Sequence, residues 1–338
     1  MPKTRIAQKP AVPRDSNKLL IYDTKSDAVS IDTFHHLSRY LDPRSTIVLN
    51  DSRVVPARVT LHKKSGGKIV VLFLINEWLP NTSAPLPCFF DRKGSVGENL
   101  LFDDGSYVTI QSQKEGMFYV SFKGSPQALI ALLDRFGTMP IPPYIKETPL
   151  SRDELLEKYQ TIFARKIGSS AAPTASLHFT KRVFDDLAQK GIQKKYVTLH
   201  VGLGTFAPLT EENIRTKKLH HEWYEVPEGI LHSINQMKSE KYSVVAAGTT
   251  VVRTLESLAL QSEMTTKGST DLFIQPGFRF HIVDQLITNF HLPGSSLMML
   301  VDAFLEHKKA KRRILELYDF AIKNDFLFYS FGDAMLIL

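Results

Sequence analysis

YSVVAAGTTVVRTLESLAL, residues 242–260, passes from an apolar, β-branched run through one glycine into a segment of helical period. The run up to Ala247 reads as a buried strand, Gly248 ends it, and Thr249 or Thr250 can cap the helix that follows, with Arg253 on its first turn. Strand, turn and helix in this order are the repeating unit of an α/β layer. The same alternation extends outward from it. A helix through residues 153–158, another over 181–190 after Thr180, and the strand KYVTLHV (195–201) precede it, and the strand-like LITNF (286–290) follows it. Near the start, NKLLIYD (17–23) reads as a strand, residues 34–40 as a short helical region, and residues 46–49 as a buried strand that delivers Asn50, Asp51 and Ser52 at its C-terminal end. Such strand ends are where open α/β sheets hold ligands.

Between these halves the texture changes. KIVVLFLI (68–75), PCFFD (87–91), SYVTIQ (106–111) and MFYVSFKG (117–124) are short β-type runs punctuated by Gly, Asp, Asn and Ser, the pattern of a small barrel or sandwich. A helix over 127–135 and the segment GTMPIPPYI (137–145) lead out of it, and Pro140, Pro142 and Pro143 make that exit a rigid extended connector. The expected organisation is a three-layer α/β domain with a mixed sheet, residues 1–59 and 146–338, interrupted by a β-barrel domain at 60–145.

The 338 residues suffice for two cores. One cysteine, Cys88, excludes an intrachain disulfide framework and any multi-cysteine zinc or iron–sulfur centre. Lys3, Arg5 and Lys9 are not followed by a signal-peptide apolar run, and no stretch is long enough to span a bilayer, so a cytoplasmic protein with no membrane partner is expected. A formal charge of +7 favours a polyanionic partner such as nucleic acid. The basic region at 307–313 fits a solvated helix face.

Five constellations carry chemistry. GSSAAPTASLHFT (168–180) holds small residues around Pro173, where backbone can approach a ligand, and His178, which titrates near neutrality; Thr174, Phe179 and Thr180 belong to the same surface. LHVGLGTFAPL (199–209) sets Gly202 and Gly204 beside His200 and Thr205 after a strand, but the third glycine of a dinucleotide fingerprint is missing. LHHEWYEV (219–226) spaces His220, Glu222 and Tyr224 alternately, placing a histidine, a carboxylate and a phenol on one strand face, an acid/base group. Residues 246–257 join a helix N-terminus, two threonine hydroxyls and a guanidinium, suited to a carboxylate or phosphate. ITNFHLPGSSLMML (287–300) repeats that logic with Asn289 and His291 at a strand end and Ser295 or Ser296 as a cap. There is no GxSxG elbow and no P-loop.

Taken together, LNDSRVVPARV, MPIPPYI, YQTIFARKIGSSAAPTASLHFT, LHVGLGTFAPL, LHHEWYEV, AAGTTVVRTLES, TDLFIQPGFRFHIVDQLITNFHLP and YSFGDAMLI closely resemble, in order, the S-adenosylmethionine:tRNA ribosyltransferase-isomerases of queuosine biosynthesis. The resemblance implies a transferase that moves the ribosyl part of S-adenosylmethionine onto 7-aminomethyl-7-deazaguanine at the tRNA wobble position, with isomerisation to epoxyqueuosine and release of adenine and methionine. It implies no cofactor beyond S-adenosylmethionine as co-substrate, no metal, and a monomer. The base is then Glu222 or His220, the proton for adenine comes from His178 or Asp51, and Arg253 with Thr249 and Thr250 takes the amino-acid end. Arg53, Arg58 and His200 are further candidates near ligand or RNA. Ser176, His221 and Gly294 depart from the family's usual glycine, serine and lysine. The competing readings are an S-adenosylmethionine-dependent RNA methyltransferase, against which the missing glycine-rich loop counts, and a non-catalytic RNA-binding protein, which leaves the His, Glu and Thr clusters unexplained.

Overall fold

The computed structural model describes residues 3–145, 147–202, 209–261 and 265–338. The chain begins with strands β1 (Lys18–Asp23), β2 (Ala28–Thr33), β3 (Ser45–Asn50) and β4 (Ser52–Val54), with a short 3-10 segment Phe34–Tyr40 between β2 and β3. It then forms β5 (Arg58–Lys63), β6 (Lys68–Phe73), helix α1 (Ile75–Trp78), β7 (Leu86–Phe90), β8 (Asn99–Leu101), β9 (Tyr107–Lys114), β10 (Met117–Phe122) and α2 (Pro126–Phe136). The last half runs α3 (Arg152–Lys158), β11 (Lys166–Ser169), α4 (Lys181–Gln189), β12 (Gln193–Leu199), α5 (Glu211–Thr216), β13 (Lys218–Glu225), α6 (Ile230–Ser239), β14 (Ser243–Ala247), α7 (Thr249–Ala259), β15 (Lys267–Leu272), β16 (Gln285–Asn289), α8 (Ser296–His307), α9 (Ile314–Lys323) and β17 (Ala334–Ile337).

Among the described residues one mixed sheet of nine strands has the order β15-β13-β12-β3-β14-β16-β17-β1-β2. Its centre, β12-β3-β14-β16, is parallel, and both flanks turn antiparallel. Side chains on the central strands alternate between two cores, as period-2 geometry requires. Val48, Val244, Ala246 and Met335 face a core shared with α6, α7, α8 and α9, while Ile47, Leu49, Val245 and Leu336 face a second core with Phe34, Leu37 and α4. Because both faces are covered, these strands read as continuous apolar runs instead of alternating ones.

The β insertion closes into a barrel of six strands, β10-β7-β6-β5-β8-β9. Its interior holds Val59, Leu61, Ile69, Val71, Cys88, Val108, Ile110 and Val120, and α2 contributes Leu129, Ile130 and Leu133 to the same core. Burial pushes the Cys88 thiol far above its ordinary range, so it is inert packing. The entry and exit of the barrel run side by side: Arg58 and Thr138 exchange backbone bonds, and Arg152 of α3 donates to the carbonyls of Asp134, Arg135 and Gly137 at the end of α2. A guanidinium there satisfies orphan carbonyls and favours the helix dipole.

Helix α7 lies in the centre of the molecule and is buried over almost its whole length. Its one internal carboxylate, Glu256, accepts the backbone N–H groups of His281, Ile282 and Val283 and so anchors the loop that enters β16. That use of a buried charge is structural. No helix among the described residues is long and apolar enough to cross a membrane.

Candidate active site

The carboxyl ends of β14 and β16 and the turn before β17 enclose a cavity of about 290 Å³. Its wall is built from Ala172, Pro173, Thr174 and Ala175, the first residues of α7 with Gly248, the segment 288–295 after β16, and Tyr144, Tyr329 and Ser330. Of the small residues around Pro173, those at 172–175 line this cavity. The rest of that run is core or cap: Phe179 is fully buried against Phe34 and stacks on Phe184, and Thr180 caps α4 through Val183 N–H and donates to Asp15.

Helix α7 opens directly onto the cavity. Its N-cap is Gly248, with φ 101°, and no side chain caps it. The sequence points to a threonine cap, but Thr249 and Thr250 are already inside the helix and line the cavity instead. The left-handed φ explains the glycine. Uncapped N–H groups and two hydroxyls at a helix N-terminus favour an anionic group. Asn50 reinforces this end of the sheet: its amide donates to the Leu199 carbonyl (2.9 Å) and accepts from Leu199 N–H (3.0 Å) and Ser52 N–H (3.1 Å).

Asn289 forms part of the wall with its amide fixed on both sides. Its Oδ1 accepts from Thr174 Oγ1 at 2.8 Å, and its Nδ2 faces His178 Nε2 at 3.3 Å. His178 therefore stands one residue behind the cavity, packed against Phe34 and hydrogen-bonded by the Arg14 backbone. His291 lines the cavity with Nε2 2.9 Å from Thr288 Oγ1, while its own N–H donates to Tyr318. At the start of α8, Ser295 is the cap, accepting from Met298 N–H.

Burial lowers both His178 and His291 to about 4, against an ordinary value of 6.5. The unfolded chain then binds more protons than the folded one between those values, so stability falls as pH drops from about 6.5 towards 4. Urea midpoints at pH 7.5 and pH 5 should show this loss, and His178→Gln should reduce it; equal midpoints would contradict the burial of these rings.

The remaining candidates form a second group beyond the first turn of α7. Glu222 is buried, accepts Gly202 N–H on Oε1 at 2.9 Å, and pairs through Oε2 with Arg253 Nη1. Arg253 starts the second turn of α7, donates from Nε to the Leu272 carbonyl at 3.1 Å, and does not line the cavity. Its Nη2 is buried with no hydrogen-bond partner among the described residues. Tyr224 is buried beside Glu222 on β13 and receives a bond from Gln261, but His220 is exposed. The pairing of β13 with β15 shifts between Lys218 and Glu222, so simple alternation fails at His220.

Asp51 is directed elsewhere. Both Nε and Nη2 of Arg165 reach its Oδ2, at 3.1 and 2.7 Å, and Thr198 donates to its Oδ1 at 2.6 Å. His200 is largely buried, which lowers its pKa, and its Nδ1 has no hydrogen-bond partner among the described residues. Arg53 and Arg58 are exposed on β4 and β5, where the sheet passes into the barrel. Gly204 and Thr205 lie outside the described residues. Among the described residues no cluster of three or more His, Cys, Asp or Glu could hold a metal. Sequence reasoning missed Tyr144, Thr288, Tyr329 and Ser330; the only signal was their presence in MPIPPYI, LITNF and YSFGDAMLI.

Three layers, a cavity at the carboxyl ends of central strands, and a barrel inserted after β4 define an α/β protein of the kind that holds small ligands at the sheet's end. A family model described as queuosine biosynthesis protein matches residues 1–337, and the chain belongs to that family. The S-adenosylmethionine:tRNA ribosyltransferase-isomerase of Carboxydothermus hydrogenoformans is 40% identical over 346 residues, covering 100% of this chain and 97% of that protein. The protein of the same name from Moorella thermoacetica is 41% identical over 349 residues, with 100% and 97% covered. The solved structure of S-adenosylmethionine tRNA ribosyltransferase from Thermotoga maritima is 30% identical, covers 100% of this chain and 98% of that one, and superposes with a TM-score of 0.55.

Proposed function

We propose that this protein transfers and isomerises the ribosyl moiety of S-adenosylmethionine onto 7-aminomethyl-7-deazaguanine at the wobble position of tRNA. The observation that carries this reading is the cavity itself: an uncapped helix N-terminus with Thr249 and Thr250 for a carboxylate, and an apolar, partly aromatic wall for a nucleoside, in a chain of this family. The α-carboxylate of the co-substrate sits at the start of α7. Arg253, a turn deeper, supports that end through the helix and not by direct contact.

The sulfonium acidifies the adjoining C5′ protons. A base removes one, the sugar opens with loss of adenine, the aminomethyl nitrogen of the tRNA base joins the carbon skeleton as the ring closes, and methionine departs as a neutral thioether. Glu222 is the proposed base, ahead of His220, because it is buried next to Gly202 and α7 while His220 is solvent-exposed. Glu222 lies outside the cavity wall and both its oxygens hold partners, so proton abstraction requires one of these contacts to open and the carboxylate to reach the substrate as it enters. For the proton that adenine needs, Asp51 is set aside because Arg165 and Thr198 occupy its oxygens. His178, one hydrogen bond behind Asn289, is the remaining candidate. The low pKa keeps it neutral at pH 7 with Nε2 accepting from Asn289 Nδ2, so delivery requires that His178 first gain a proton and that this contact open towards the substrate.

Arg53 and Arg58 at the barrel junction suit tRNA phosphates, consistent with a net charge of +7. The barrel and the α/β layer are taken as two domains, 60–145 and the remainder, with tRNA lying across their junction in the cytoplasm. An RNA methyltransferase and a non-catalytic RNA-binding protein have no comparable support. The test is turnover with S-adenosylmethionine and a tRNA carrying 7-aminomethyl-7-deazaguanine: release of adenine and methionine in equal amounts is expected, and S-adenosylhomocysteine as product would overturn the reading.

A further inference from the structure

Two aromatic residues of the cavity come from segments that the mechanism above does not use. Tyr144 ends the proline-rich connector leaving the barrel, and Tyr329 begins the turn before β17. Their ring centroids lie 4.7 Å apart with the planes inclined by 49°. Tyr329 holds φ 70°, a left-handed conformation unusual for a tyrosine, and such backbone conformations concentrate at ligand clamps. Three contacts keep it there. Its N–H donates to the Phe290 carbonyl, the Gly332 N–H donates back to the Tyr329 carbonyl, and Asp333 accepts from the N–H groups of Leu327 and Lys18. Tyr144 is held as firmly: its hydroxyl is 2.7 Å from Ser330 Oγ, and Gln8 bridges the Tyr144 carbonyl and the Glu147 N–H.

The sheet places this pair at a definite distance from the start of α7. Gly248 N–H bonds the Ile287 carbonyl on one side of β16, while Tyr329 N–H bonds the Phe290 carbonyl on the other. The two therefore flank β16, about 10 Å apart across the strands and offset by three residues, about another 10 Å, along it, a diagonal of about 14 Å. An extended amino-acid nucleoside with its carboxylate at α7 brings its base to Tyr144 and Tyr329. We propose that Tyr144 and Tyr329 form the purine-recognising wall of the cavity, with Ser330 and Gln8 as positioning residues for Tyr144. This rests on the reading that the ligand is an adenosyl sulfonium. Stacking on aromatic faces supplies affinity for a flat base, and the wall then releases free adenine once the glycosidic bond breaks.

The test is equilibrium binding of 5′-methylthioadenosine, which lacks the carboxylate, and of S-adenosylhomocysteine, which carries it. Tyr144→Leu and Tyr329→Leu retain bulk and remove the π-face, and Tyr144→Phe keeps the face without the hydroxyl. Both leucine variants should weaken both ligands by about tenfold or more, and Tyr144→Phe by much less. Thr250→Ala should weaken only S-adenosylhomocysteine. Leucine variants that bind 5′-methylthioadenosine as tightly as the natural protein would overturn the purine wall. A natural protein that binds neither ligand would instead overturn the adenosyl reading on which it rests.

Discussion

Glu222→Gln is expected to abolish ribosyl transfer and to lower stability at the same time. The stability effect follows from the pair it breaks: Glu222 and Arg253 are both buried, and Arg253 already has one nitrogen without a partner among the described residues. Removing the charge of one member leaves a buried guanidinium uncompensated, at a cost of about 3 kcal/mol or more. The activity effect follows if Glu222 takes the C5′ proton, since loss of a positioned base typically lowers kcat by about a hundredfold to ten-thousandfold. The two contributions separate experimentally. Glu222→Gln combined with Arg253→Met should recover much of the stability and none of the turnover. If the double variant regained turnover together with stability, Glu222 would be a scaffold for Gly202 and α7, and the base would be sought elsewhere. If single-variant turnover were unchanged, the assignment would be wrong outright.

Gly137→Ala is expected to have the largest effect of any single methyl group added to the chain. A Cβ at this position would stand 1.8 Å from the Pro56 carbonyl oxygen and 2.6 Å from that of Leu133, both of them backbone atoms. Its φ is −80°, so the demand for glycine is one of space and not of backbone angle. The two chain segments that connect the barrel with the α/β layer touch here, and Arg152 of α3 donates to the carbonyl of Gly137 itself. Relief requires the entry and exit segments to part, at about 3 kcal/mol or more. Because Tyr144 lies seven residues further along the same connector, ligand affinity should fall with stability. Gly67→Ala, whose Cβ would find its nearest neighbour at 3.8 Å, is the matched control and should be nearly silent. Equal melting temperatures for the two variants would contradict the packed junction.

The architecture was legible because it depends on local patterns. Valine and alanine without alternation in residues 243–247 mark a strand covered on both faces, and the turn residues between 60 and 124 space the strands of a barrel. The strand ends were legible for the same reason, which is why Thr174, Thr249, Thr250, Asn289 and His291 were found and do line the cavity. Side-chain direction was not legible, because distant partners set it. Asp51 looks like a free carboxylate at a strand end until Arg165, more than a hundred residues away, is brought onto it. His178 is the one titratable group in its run, yet Phe34, Arg14 and Asn289 enclose it. His220 follows an alternation that a register shift interrupts. Tyr144 belongs to a segment that reads as a connector and Tyr329 to a terminal stretch singled out only by the resemblance, and the sheet order places them in one wall.

The most direct test of the account uses S-adenosylmethionine labelled separately in the ribose and in the methyl group, incubated with the full chain and a tRNA bearing 7-aminomethyl-7-deazaguanine at the wobble position. The account predicts ribose label in the tRNA, with free adenine and methyl-labelled methionine released. Methyl label in the tRNA with no ribose label would contradict it.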